Sequence, residues 1–375
     1  MTLRQKIGQE IRERGPIPFS RYMDLCLYDP ELGYYSRNAE QFGKAGDFYT
    51  SSDVHAVFGR LLAHQFEEMW RAMDSPERIE ILELGPGRGL FAQDVLDWSE
   101  KKFPEFFEAL HFSFLESSPV LRQRLQQTLS RQIAAGKASA AGAGFGLEET
   151  PVIIFANEFF DAFPVEVLGQ EGKLLIDERE GHFIETWAPA SGEELEFLDR
   201  YSVQPEGGER IEVPLAAQNY MSKLAAALHY GFMVVIDYGY TRPELLAGRH
   251  RGTVMAYRQH SVSANPYEAP GGQDITAHVN FTALAAATEL QGMYVHPLIT
   301  QSQFLLGIGE ANQFADAFED CRLPQERAKV ALQLKHLVTP AGMGESFHVL
   351  VGSKGVASEK VAGLTGLSFG KVRRS

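Results

Sequence analysis

Apolar residues at helical spacing dominate the first part of the chain. Residues 3–14 predict a helix, opened by Thr2-Leu3-Arg4-Gln5 in the pattern of a capping box and stopped by Gly15-Pro16. A second helix is expected over 19–27, with Ser20 near its cap. Residues 28–35 are turn-rich and aromatic, and 43–53 form a polar loop. The clearest helix spans about 54–73, where Val57, Phe58, Leu61, Leu62, Phe66, Met69 and Trp70 recur on one face.

The period then changes. Short apolar runs at 79–84, 111–116, 152–156 and 232–237 alternate with helical stretches such as 90–98 and 119–133. Strands that are apolar throughout and separated by helices belong to a parallel sheet covered on both faces. Further strands are expected at 303–306 and 347–351, flanking a long helix over 310–336. Two stretches break the alternation. Residues 165–215 contain strand-like pieces, the pattern of an inserted antiparallel sheet, and 241–282 are loop-rich with His, Arg, Gln and Tyr. Insertions of this kind on an α/β scaffold are where specificity usually sits. The Gly/Ala/Ser-rich stretch 134–146 reads as a mobile loop.

Composition narrows the classes. The 375 residues are long for one domain, and 44% hydrophobic content is enough for a sizeable core. A net charge of −14 gives an acidic surface that repels phosphate backbones and anionic lipid, so nucleic acid is not an expected partner. No apolar run approaches the roughly 20 residues of a membrane-spanning helix, so no membrane insertion is expected. Cys26 and Cys321 are too few and too distant for a disulfide framework, which fits a reducing compartment. The arginines near the N-terminus resemble a transit peptide, but Glu10 and Glu13 interrupt them and the segment reads as structural.

The central motif is Glu83-Leu84-Gly85-Pro86-Gly87-Arg88-Gly89, between a buried strand and a helix. Glycines there let the backbone turn sharply and approach a ligand. A dinucleotide loop of the form Gly-x-Gly-x-x-Gly would need Gly at position 90, which is Leu. The carboxylate of Glu83 disfavours phosphate and suits S-adenosylmethionine (SAM), whose amino and sulfonium groups are positive. Glu116 ends the next strand, 27 residues after Gly89, in the place of a ribose-binding acid. Gly85, Gly87, Gly89, Glu83 and Glu116 are therefore expected cofactor residues. The alternative is a glycine turn with two solvated acids.

Asn157-Glu158-Phe159-Phe160-Asp161-Ala162 follows the 152–156 strand, at the ligand-binding edge of such a sheet. Carboxylates can orient a guanidinium and aromatic faces can shield it. Glu158, Asp161 and Asn157 are thus catalytic candidates, Asn157 also touching the cofactor. The alternative is a helix cap, with the acids favouring the positive helix end. His278 could orient a substrate or accept a proton, or be a structural loop histidine. Asp237 reads as a capping acid on the same edge, and Tyr34 and Tyr35 as packing aromatics. His, Asp and Glu show no metal-ligand pattern, so no metal is expected. Gly-x-Ser-x-Gly and Gly-x-x-x-x-Gly-Lys are both absent, which weakens hydrolase and nucleoside-triphosphatase readings.

The chain resembles the MidA-like methyltransferase family, which includes a mitochondrial complex I assembly factor that methylates an arginine. The motifs 28–35, 46–52, 83–89, 157–162, 237–240, 273–279 and 342–345 carry the resemblance over nearly the whole chain. It implies a class I SAM-dependent α/β fold, Rossmann-like, with a mostly parallel seven-stranded sheet. It also implies that Asp47, Thr50 and Ser51 close over the cofactor from an N-terminal helical lid. Asn280 stands where the family usually has Asp. The expected segments are 1–75 for the lid, 76–164 for the first half of the core and 165–230 for the antiparallel insertion with a helix. They continue with 231–240 as a core strand, 241–300 as a substrate-side insertion and 301–375 as C-terminal core. A start at the family's first helix suggests a bacterial cytoplasmic member. The expected activity is SAM-dependent methylation of a protein arginine, with S-adenosylhomocysteine as product and a complex I subunit as candidate substrate. Alternatives are a small-molecule or carboxyl O-methyltransferase and a non-catalytic SAM-binding assembly chaperone. An oligomer is compatible with all three.

Overall fold

The computed structural model describes residues 1–36, 56–140, 150–248, 252–258, 261–310 and 312–369. The chain divides into two compact units, each assembled from separated segments. One comprises 50–157, 223–237 and 288–375, and the other 1–49, 158–222 and 238–287.

The first of these is built on a parallel sheet. Ile79–Leu84 pairs in parallel with Leu110–Leu115 on one side and Val152–Asn157 on the other. Gly231–Tyr240 continues the sheet in parallel beside Val152–Asn157. Ile81, Phe112, Ile153, Ile154, Phe155, Val234 and Ile236 are all buried, which explains why these strands are mainly apolar. Gly231 has φ 136°, and a Cβ there would lie 2.0 Å from the Val152 carbonyl oxygen, so only glycine lets the two strands start their ladder. The helix Ala56–Ala72 packs on Leu90–Lys102 through Gly59, where a Cβ would come within 2.5 Å of the Asp94 Cβ. Phe91 stacks on Phe155 at 4.5 Å between ring centroids, fixing the second helix to the sheet.

Among the described residues the sheet is a linear path of seven strands, with the short Val279–Asn280 and Ile299–Thr300 paired beside it. Phe347–Lys354 is antiparallel to Tyr294–Val295 and Ile299–Thr300 at one edge, so the sheet is mostly parallel. The run 303–306 lies inside the helix Gln301–Glu310, because Phe304, Leu305 and Ile308 form one buried helical face. The long helix expected over 310–336 is two shorter ones, Ala315–Phe318 and Pro324–Val338, since Pro324 suits only a first turn. Within the stretch expected as a mobile loop, Ala138–Ala140 is a strand parallel to Phe112–Phe114, and 141–149 lie outside the described residues.

The second unit has a five-stranded antiparallel sheet. Its order is Ile17–Pro18, Gly172–Arg179, Glu166–Gly169, Ile211–Val213, with His182–Ala188 paired to Gly172–Arg179. Leu3–Arg14 and Phe19–Tyr28 pack on it through Ile7, Ile11, Phe19, Tyr22 and Met23. The first helix carries a true capping box: Gln5 N donates to Thr2 Oγ1, and Thr2 N donates to Gln5 Oε1. Ser20 does not cap the second helix, whose N-cap is Pro18; its hydroxyl donates to Glu166 Oε1 at 2.6 Å. A smaller antiparallel sheet joins Ser261–Ser263, Met255–Arg258 and Asp274–Thr276. Among the described residues, no helix is long and apolar enough to cross a membrane.

Candidate functional site

The glycine loop sits where the Ile79–Leu84 strand hands over to the Leu90–Lys102 helix. Gly85, Gly87 and Gly89 have φ of 61°, 53° and 77°, in the left-handed region that strains every residue with a Cβ. The loop is held by its own backbone: Gly85 N donates to Leu115 O and Gly89 N to Pro86 O.

Two acids line this unit's strand ends. Glu83 is 5% exposed, and its Oε2 is buried with no hydrogen-bond partner. Burial, and then the charge of Glu116, push the Glu83 carboxyl up to about 8. Glu116 is half-buried and accepts from the Ser118 amide at 2.8 Å. Burial raises it to about 7, opposed by the amides of Ser118 and Gly87 and by Arg122. Glu116 therefore also ties the glycine loop to the following strand end. Asn157 closes the Val152–Asn157 strand, in register with Ile236.

The fit to SAM can be tested on these residues. A buried carboxyl with an unsatisfied oxygen, destabilised by a second acid, gains from a cation and from hydrogen-bond donors. SAM brings an ammonium, a sulfonium and two ribose hydroxyls, so the residues present fit. Phosphate would add like charge to an acid pair that already repels. Asp47, Thr50 and Ser51 lie outside the described residues.

The other unit holds the Glu158–Asp161 segment. Glu158 has φ 49°, an unusual conformation for a non-glycine residue. Asp161 is buried, and its Oδ2 accepts from Tyr238 Oη at 2.5 Å. Burial raises Asp161 to about 6, against the Tyr238 hydroxyl and the Ala162 amide, which lower it. The Asp161 carbonyl accepts from Ala277 N at 3.0 Å, which places the segment beside the loop carrying His278. His278 meets the Tyr238 ring edge to face at 5.3 Å, and its amide donates to Thr253 Oγ1. Phe159, Phe160, Phe163 and Tyr220 form one aromatic cluster, with centroid distances of 5.1 to 6.4 Å.

A second buried acid belongs to this set. Asp274 is 3% exposed and accepts from Tyr35 Oη at 3.0 Å. Tyr28 stacks on Tyr35 at 5.6 Å and donates to the Ala162 carbonyl. Burial raises the Tyr257 hydroxyl, and the charges of Asp161 and Asp274 raise it further. Tyr35, expected only as a packing aromatic, is thus also a hydrogen-bond donor, and spacing does not single out Asp274, Tyr238 or Tyr257. Their signal was faint: Tyr238 and Asp274 fall in the short motifs 237–240 and 273–279, and only the fold brings those to Asp161. Asp237, expected as a capping acid, is fully buried inside the Gly231–Tyr240 strand, which runs three residues past the apolar run 232–237.

Comparison with known proteins agrees with the cofactor half. Residues 61–299, more than half the chain, match the family described as "Putative S-adenosyl-L-methionine-dependent methyltransferase". "Protein arginine methyltransferase NDUFAF7 homolog, mitochondrial" of Drosophila melanogaster is 30% identical over 391 residues, covering 95% of this chain and 85% of its own length. The human protein arginine methyltransferase NDUFAF7, mitochondrial, is 26% identical and covers 90% of this chain and 80% of its own. A crystal structure from Burkholderia thailandensis bound to S-adenosyl-homocysteine superposes with TM-score 0.83 at 28% identity, covering 98% of this chain and 94% of that one. These relatives overturn the cytoplasmic expectation, since those from fly, zebrafish and human are all named mitochondrial. Charge and cysteine count do not encode a compartment, which is read from an address rather than from the folded domain. The chain belongs to this family of S-adenosyl-L-methionine-dependent methyltransferases.

Proposed function

We propose that this methyltransferase modifies a guanidino nitrogen of a protein arginine. The observation that carries the reading is the pair of buried acids, Asp161 and Asp274, set among tyrosine hydroxyls and rings. Arginine is always a cation at neutral pH, so a site for it must be anionic and aromatic. The relatives named protein arginine methyltransferases support the same acceptor. SAM supplies an electrophilic methyl group and leaves as S-adenosylhomocysteine.

Glu83, Gly85, Gly87, Gly89, Glu116 and Asn157 would hold the cofactor. Glu158 and Asp161 attract and orient the guanidinium, and Tyr238 fixes the Asp161 carboxyl. A guanidinium must lose a proton on methylation, and Asp161, with its carboxyl set by Tyr238, is the group that would take it. Burial raises the proton affinity of Asp161 above that of an ordinary aspartate, which suits it to accept a proton. His278 orients Tyr238 by its ring contact. The rate gain comes from positioning and electrostatics. The same reading assigns the sheet to the class I seven-strand topology, supported by its linear path of seven strands. It keeps a respiratory complex I subunit as the candidate target, on the family resemblance.

The test is incubation with isotopically labelled SAM and mitochondrial lysate, followed by gel separation and mass spectrometry. Label on arginine of a discrete protein is expected. Label confined to small molecules, lysine or carboxyl groups would reject the arginine acceptor and leave the methyltransferase assignment standing.

A further inference from the structure

The antiparallel unit also carries a partly open cavity of about 320 Å³. Its walls are mainly apolar, including Phe19, Val167, Leu174, Val254 and Pro266. None of its lining residues is Glu158, Asp161, Tyr238 or His278. The volume is many times that of a water molecule, about 30 Å³, and lies at the lower end of small-molecule pockets.

Two carboxylates line it, in opposite states. Glu185 is satisfied: both its oxygens accept from Arg210, at 2.8 and 2.5 Å, and Oε1 also accepts from Tyr267 Oη at 2.8 Å. Glu212 is 1% exposed, on the Ile211–Val213 strand. Its Oε1 accepts from the Thr253 and Val254 amides at 2.7 and 3.3 Å, while its Oε2 is buried with no partner. Arg210 is held in a two-pronged pair with Glu185 instead. Leaving a buried carboxylate oxygen unpaired is expensive.

We propose that this cavity is a second ligand site, taking a small amphipathic primary amine whose ammonium binds Glu212 and whose apolar body packs on Phe19, Leu174 and Val254. An ammonium offers the donor and the charge that Glu212 lacks, and the apolar walls cover the rest of the ligand. The ion pair of Glu185 and Arg210 is already neutral and adds no competing attraction. The site stands independently of the arginine reading, since it shares no residue with it.

The probe is 2-phenylethylamine, titrated calorimetrically into the whole protein at pH 8, with 2-phenylethanol and 3-phenylpropanoate as matched controls. The amine is expected to bind saturably, at least tenfold tighter than the alcohol, with the carboxylate not binding. Glu212→Gln keeps an oxygen for the Thr253 amide and should erase the preference for the amine. Val254→Trp fills the cavity and should abolish both amine and alcohol binding, which keeps the idea testable if Glu212→Gln fails to fold. Asp161→Asn should change nothing, separating this site from the anionic tyrosine cluster. Absence of saturable binding, equal affinity for amine and alcohol, or amine binding that survives Val254→Trp would overturn the proposal.

Discussion

Tyr238 Oη donates to Asp161 Oδ2 at 2.5 Å, joining residues 77 positions apart in the chain. This bond opposes the burial that raises Asp161 to about 6. Removing it in Tyr238→Phe should raise Asp161 further, by about one pH unit, since a hydrogen bond to a charged group is worth about 1.5 kcal/mol or more. If Asp161 must be ionised, kcat/KM rises with pH through its titration, and the variant's midpoint moves to higher pH. SAM affinity should hold. An unmoved pH profile would show that Asp161 does not carry the proton.

Buried acids set the pH dependence of stability. Glu83, Glu116 and Glu212 stand at about 8, 7 and 7, each above the usual carboxylate range because of burial. The folded state then binds more protons than the unfolded state between about pH 4.5 and 8. Stability is therefore full below the unfolded values and falls as pH rises through the folded ones. Thermal melts of the free protein should show Tm decreasing from pH 5 to 8.5, and SAM should flatten that slope. A Tm that climbs over this range would contradict the assignment.

Glu83 offers a separable case. Glu83→Gln removes a buried charge that repels Glu116, so Tm at pH 8 should rise, while SAM binding weakens by roughly 1.5–3 kcal/mol. Calorimetry in buffers of different ionisation enthalpy should show proton release on SAM binding to the native protein and less to the variant. Loss of stability with unchanged binding would mark Glu83 as structural.

The glycine loop should fail in two ways at once. Gly87→Ala places a Cβ at φ 53°, costing about 1–2 kcal/mol of folded stability. SAM binding should fall further, because the Gly87 amide holds Glu116. A variant with lowered Tm and native SAM affinity would separate the loop from the cofactor.

Glu158 carries backbone strain where the proposed chemistry lies. Glu158→Gly relieves about 1–2 kcal/mol of left-handed strain, partly offset by about 0.5–1 kcal/mol of glycine chain entropy. Melting should stay level or rise, while methyl transfer drops by about two orders of magnitude, as for loss of one electrostatic stabiliser. Full activity in this variant would reduce Glu158 to a bend in the chain.

Much of the scaffold was legible in the sequence because it is local. The run 152–156 is apolar at every position and 79–84 at all but Glu80 and Glu83, since both faces of a parallel strand are covered. The glycine loop follows Leu84 because positive φ at Gly85, Gly87 and Gly89 demands that residue type there. Where an apolar run is short, periodicity cannot choose: Phe304 and Leu305 fit a strand equally well until the buried partner Ile308 one turn on makes them a helix. The anionic cluster lay beyond any local pattern. Tyr35 reaches Asp274 across 239 positions, and Asp161 meets Ala277 through a backbone bond. Proton affinity belongs to the same level: an aspartate's sequence neighbours do not say how much water it loses, and burial moves Asp161, Glu83 and Glu212. The sequence determined which residues could do the chemistry, because residue type and backbone demand are local. Tertiary structure alone decided which of them meet, because contact and desolvation come from segments that the chain order keeps apart.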